Sequence, residues 1–93
     1  MFAFEKQYVQ FLTDNGVGQN DKKSDSRKSY VSYINGVQKH LGIAIDESNL
    51  SSEEDVQNLM RKLKDANPVC NKTITNYGSA MRQYVEMIKY IMK

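Results

Sequence analysis

Apolar residues recur along the chain at intervals of three and four, in four blocks separated by polar stretches. That spacing marks amphipathic helices rather than strands. In the first block Phe4, Tyr8, Phe11 and Leu12 share a face, which predicts a helix over about 2–15 ended by Gly16, a residue that adopts positive φ cheaply. The stretch GVGQNDKKSDS that follows is polar, charged and glycine-containing, and predicts an exposed loop carrying Lys22 and Lys23. A second helix is expected over 26–41, capped by Asp25 or Ser26, with Tyr30, Tyr33, Ile34, Val37 and Leu41 as its buried stripe. Gly42 ends it, and Ile43 is placed for a Schellman ending.

Residues 43–50, IAIDESNL, form a connection that offers Ile43, Ile45 and Leu50 for packing. The third helix is expected over 52–66, with Val56, Leu59, Met60, Leu63 and Ala66 inward. Ser51 and Glu54 have the spacing of a capping box. The acidic residues 53–55 and the later Arg61, Lys62 and Lys64 suit the two ends of the helix dipole, so this charge pattern needs no function. Asn67-Pro68 ends that helix, because proline disfavours α conformation in the residue before it. The last block is the longest. Ile74, Tyr77, Met81, Tyr84, Val85, Ile88, Ile91 and Met92 make the apolar arc of a helix over 72–92, capped at Asn71 or Thr73. About 20 residues give a helix about 30 Å long, a spine on which three shorter helices can lay their apolar faces.

The reading is therefore all-α: one domain over 1–93, a compact four-helix bundle with a long C-terminal helix. A hydrophobic content of 40%, with three Phe and six Tyr, argues against disorder. No apolar run reaches the ~18 residues of a membrane span, and Glu5 and Lys6 inside MFAFEKQYVQF argue against a signal peptide. The lone Cys70 is expected as a reduced thiol in a loop, which points to a cytoplasmic protein. Two glycines fall inside predicted helices. Gly78 flanks the apolar arc, where close helix contact explains it; Gly36 lies on a polar side, as a tolerated defect or a point of close backbone approach.

Net charge is only +2, yet it is unevenly spread. Residues 21–42 (five basic, two acidic) and 67–93 (four basic, one acidic) each carry +3, while 43–66 (three basic, six acidic) carry −3. A basic face on a nearly neutral domain produces this distribution. Catalytic chemistry is absent from the pattern. The single His40 belongs to the last turn of a helix, where positive charge suits the dipole. There is no zinc-ligand set and no phosphate-binding glycine loop. No enzyme and no cofactor are expected.

What remains is a binding module. Lys28, Ser32, Asn35 and Lys39 line the polar side of the second helix, and Thr75, Ser79, Arg82, Gln83 and Lys89 that of the fourth. Long cations interleaved with hydroxyls and amides suit phosphate and groove contacts, so double-stranded DNA is the expected partner. Tyr90 falls on the polar arc near the C-terminus, which suggests docking of a further domain or a partner subunit there. Such protein docking or dimerisation is the rival reading.

The order of SYVSYINGVQKHLG, SSEEDVQNLMRKL and TITNYGSAMRQYVEMI resembles the N-terminal SAM-like, core-binding domain of tyrosine recombinases, the phage integrases. The last helix of that family commonly carries a stretch like SALRxFxxF, and Ser79-Ala80-Met81-Arg82-Gln83-Tyr84 is similar to it. Thr75 takes the place of a Thr or Ser often found near the helix start. The resemblance implies a helical domain lying across DNA opposite a separate catalytic domain. Residues 43–50 are longer and more acidic than the family's pattern, and no catalytic residue carries over. A second resemblance, through Ser29, Tyr30, Ile34, Val37, Lys39, Leu41, Gly42, Asn71, Asn76, Tyr77, Ser79, Ala80 and Tyr84, is to helical N-terminal regions of restriction and HNH-type endonucleases. It too implies a DNA-associated module without its nuclease. The end of the chain directly after a helix, at Lys93, is read as a domain boundary or the end of a short phage-like protein.

Overall fold

The computed structural model describes residues 2–15, 26–66 and 69–92. Four helices, α1 (Glu5–Asn15), α2 (Ser26–Leu41), α3 (Glu53–Ala66) and α4 (Asn71–Ile91), form an all-α bundle, and no strand occurs among the described residues. The loop lysines Lys22 and Lys23, the cap candidate Asp25, the Asn67-Pro68 stop and Lys93 lie outside the described residues.

α4 packs against each of the other three helices. Its buried arc is wider than its apolar spacing predicts. Ala80 and Met87 are fully buried beside Ile74, Tyr77, Met81, Tyr84, Val85 and Ile88, whereas Met92 is exposed and Ile91 only partly buried. A helix with neighbours on both flanks buries about half its circumference, more than the stripe of a surface helix. Gly78 serves the α3 contact: a Cβ there would stand 2.8 Å from Met60 Sδ. Val56, Leu59 and Leu63 of α3 are buried as expected, while Ala66 is exposed.

The first helix is shorter than its apolar pattern suggests, starting at Glu5 rather than Phe2. Residues 2–4 form a strap instead. The Phe2 ring is buried and meets Tyr8 and Tyr84 edge-on, with centroids 5.6 and 5.8 Å apart. The Ala3 N–H donates to the Ile45 carbonyl at 3.3 Å, and the Ala3 carbonyl accepts from Tyr84 Oη at 2.8 Å. Phe4 turns the chain into α1 at φ 61°, a left-handed conformation that costs an L-residue roughly 1–2 kcal/mol. Burial of Phe2 and the two Ala3 hydrogen bonds hold it there.

The helix ends follow local chemistry, with two corrections. α2 closes with Gly42 at φ 64° and the Ile43 N–H bonded to the Gln38 carbonyl at 3.2 Å, the Schellman ending. The cap of α3 is one residue later than Ser51. Ser52 Oγ accepts from the Asp55 N–H at 3.3 Å, and Asp55 Oδ2 accepts from the Ser51 N–H at 3.0 Å. Aspartate at the third position thus reaches back to the N–H of the residue before the cap, and Glu54 is left out. α4 starts after Cys70, not at a capping Asn71 or Thr73; Cys70 has extended backbone angles and gives no side-chain cap to the helix.

The 43–50 connection is tied to the core rather than looped out. Ile45 and Leu50 are buried, Gln38 Oε1 accepts from the Ile45 N–H at 2.8 Å, and Asn49 bridges Ala44 and Asp46. Tyr8 Oη donates to the Ala80 carbonyl at 2.8 Å, which satisfies a phenol that burial would otherwise penalise.

Candidate nucleic-acid interface

α2 presents one row of four polar positions. Lys28, Ser32, Asn35 and Lys39 recur at i, i+4, i+7 and i+11, so they stack along one face. Lys28, Ser32 and Lys39 are exposed, and Asn35 is half-buried with its Oδ1 accepting from Gln38 Nε2 at 3.2 Å. Among the described residues neither lysine enters an ion pair.

The five positions on α4 are less uniform. Thr75 Oγ1 donates to the Asn71 carbonyl at 3.1 Å, and Ser79 Oγ to the Thr75 carbonyl at 3.4 Å. Both hydroxyl protons are thus engaged within the helix, and each oxygen keeps acceptor capacity. Gln83 is half-buried and Lys89 exposed. Arg82 is exposed and pairs with Glu53 at the start of α3, Nε standing 3.2 Å from one carboxylate oxygen and 3.4 Å from the other. Gln57 Nε2 donates to the same carboxylate at 3.0 Å. The hydrogen bond from Gln57, then that from Arg82, with the charges of Arg82 and Lys89 behind them, hold the Glu53 carboxyl below its ordinary range.

These contacts divide the nine positions into two groups. Tyr77 is one α4 residue that meets α2: its hydroxyl would lie 2.8 Å from a Cβ on Gly36. Arg82 and Lys89 stand about 140° and about 120° round the helix from Tyr77, on the side where Gly78 meets α3. The α2 row and the α4 cations therefore belong to different flanks of the bundle, with Arg82 and Lys89 beside the acidic start of α3.

Sequence reasoning missed an aromatic seam next to the α2 row. Tyr33 lies 5.9 Å from Tyr30 and 5.8 Å from Tyr77, centroid to centroid, and His40 lies 6.1 Å from Tyr77. Gly36 permits it. The close neighbour at that polar-side glycine is a tyrosine ring, not another backbone. Burial, then Tyr33, pushes the Tyr77 phenol up. The pairing of Glu53 with Arg82 was equally hidden, because the two are 29 residues apart.

Elsewhere, Tyr90 is 68% exposed and its ring stands 6.1 Å from Phe11 of α1. Cys70 is exposed. Its thiol lies 3.3 Å from Thr73 Oγ1, and that hydrogen bond, with the backbone N–H of Thr73, lowers its pKa. Among the described residues no group of three or more His, Cys, Asp or Glu is arranged to hold a metal ion, and no helix is long and apolar enough to cross a membrane. No protein-family model, no curated protein and no solved structure matches the chain.

Proposed function

We propose that this chain is a non-catalytic, cytoplasmic DNA-binding domain of the kind found at the N-terminus of tyrosine recombinases. The row on α2 carries the reading. Lys28 and Lys39 are eleven residues apart, about 16 Å along the helix, whereas the major groove is about 12 Å wide. The two lysines thus reach phosphates on either side of a groove, with Ser32 and Asn35 between them at the base edges. The α4 group of Arg82 and Lys89, with Gln83, Thr75 and Ser79, adds contacts from the neighbouring flank. Thr75 and Ser79 serve as acceptors, since their own protons point into the helix. The same residues fit the helical module of a restriction or HNH-type endonuclease, which differs in the catalytic domain that would accompany it.

The test is alanine at Lys28, Lys39, Arg82 and Lys89 together, read by duplex binding. The substitutions are expected to abolish measurable affinity at moderate salt and to flatten its salt dependence by about 0.9 per lost phosphate contact. Unchanged affinity would refute the proposal. The rival, a protein-docking module, is favoured by one observation. Tyr90 and Met92 are the large apolar residues most exposed among those described, at 68% and 53%. Tyr90→Ala would weaken self-association or partner capture in that case, and leave DNA binding unchanged.

A further inference from the structure

Arg82 is the cation of the candidate interface that is already occupied. Its Nε faces both oxygens of Glu53, Gln57 donates to the same carboxylate, and Lys89 lies close enough for its charge to act on it. A carboxylate in this position presents to arginine what a phosphodiester presents: an anion with two acceptor oxygens. Glu54, the next residue, is also exposed but has no ion pair among the described residues, so the arrangement is particular to Glu53.

We propose that Glu53 stands in for a DNA phosphate in the free protein and keeps Arg82 in reserve, so that a duplex engages Arg82 only by displacing Glu53. The inference rests on the reading of the chain as a DNA-binding domain. It adds a brake built into that site. Both partners are about half exposed, at 47% and 58%, and exposed ion pairs of this kind are weak. The exchange of carboxylate for phosphate is therefore easy, and the brake lowers affinity without blocking the site. The polyanionic duplex offers many phosphates, whereas a small monovalent anion competes one to one with a tethered carboxylate. The brake thus discriminates against isolated anions in favour of nucleic acid.

The experiment titrates a labelled random-sequence duplex at low salt with the wild type, Glu53→Gln, Arg82→Gln, the double variant, and Glu54→Gln as a control for net charge. Glu53→Gln is expected to tighten binding about two- to fivefold. The same substitution in the Arg82→Gln background is expected to change affinity less than about twofold, as is Glu54→Gln alone. An equal gain in both backgrounds would mean that Glu53 acts only through net charge, and would overturn the proposal. So would a wild type that binds duplex while Glu53→Gln gains nothing. If neither the wild type nor Glu53→Gln binds, the DNA-binding reading itself is overturned and the brake with it.

Discussion

Gly36→Ala separates helix propensity from packing at the joint between α2 and α4. In an open helix surface the change gains about 1 kcal/mol. Here the new Cβ would meet Tyr77 Oη at 2.8 Å, Cζ at 3.1 Å and Cε1 at 3.4 Å. The obstacle is a rigid ring flanked by Tyr33 and His40, so it cannot swing aside as a flexible chain end would. Overpacking of this kind costs about 1–3 kcal/mol. Against the propensity gain, the net expectation is a destabilisation of about 1 kcal/mol, or about 4–8 °C in Tm for a domain of this size. Tyr77→Phe removes the nearest atom, so Gly36→Ala in that background is expected to cost at least about 1 kcal/mol less than in the wild type. Urea denaturation followed by far-UV circular dichroism reads both. A Gly36→Ala protein more stable than wild type by the full propensity gain, with no coupling to position 77, would refute the close packing.

The end of α2 offers a cleaner backbone test. Nothing lies within 4 Å of a Cβ built on Gly42, but its φ is +64°. Gly42→Ala is therefore expected to cost about 1 kcal/mol from backbone strain alone, and Gly42→Asn distinctly less; an unchanged urea midpoint for alanine would contradict this. Alkaline stability tests the buried phenols. Burial, then Tyr30, raises the Tyr8 pKa far above its ordinary value, and burial, then the charges of Asp46 and Glu47, raises that of Tyr84. The unfolded chain loses these protons above pH ~10 while the folded protein keeps them, so stability is full below pH ~10 and falls as pH rises. Tyr8 alone contributes a loss of about 1.4 kcal/mol per pH unit there. Urea midpoints between pH 9 and 11.5 should drop, and less steeply for Tyr8→Phe; parallel profiles for the two proteins would exclude the effect.

How far the sequence carried depended on range. Four helices, the Schellman ending at Gly42-Ile43 and the burial of Ile45 and Leu50 are written in spacing and local chemistry, and all were legible. The start of α1 was not, because Phe2 and Ala3 are claimed by Tyr84 and Ile45, far along the chain. The cap of α3 slipped by one residue because Ser51 and Ser52 both offer hydroxyls, and Asp55, not Glu54, is the side chain that reaches back to the N–H of Ser51. The roles of Gly36 and Gly78 depend on Tyr77 and Met60, which spacing within one helix cannot locate. At the candidate interface, periodicity placed Lys28, Ser32, Asn35 and Lys39 together. It could not reveal that Arg82 would meet Glu53, since helical period fixes faces and not the neighbours of faces.

The measurement closest to the central claim is fluorescence anisotropy of a labelled random duplex titrated with the wild-type protein at several salt concentrations. Micromolar binding is expected, weakening with a log–log slope near −0.9 per phosphate contact, or about −3.6 if Lys28, Lys39, Arg82 and Lys89 all engage. Absence of binding at low salt, or binding that salt leaves unchanged, would contradict the account and shift attention to the Tyr90 end of α4 as a protein-docking surface.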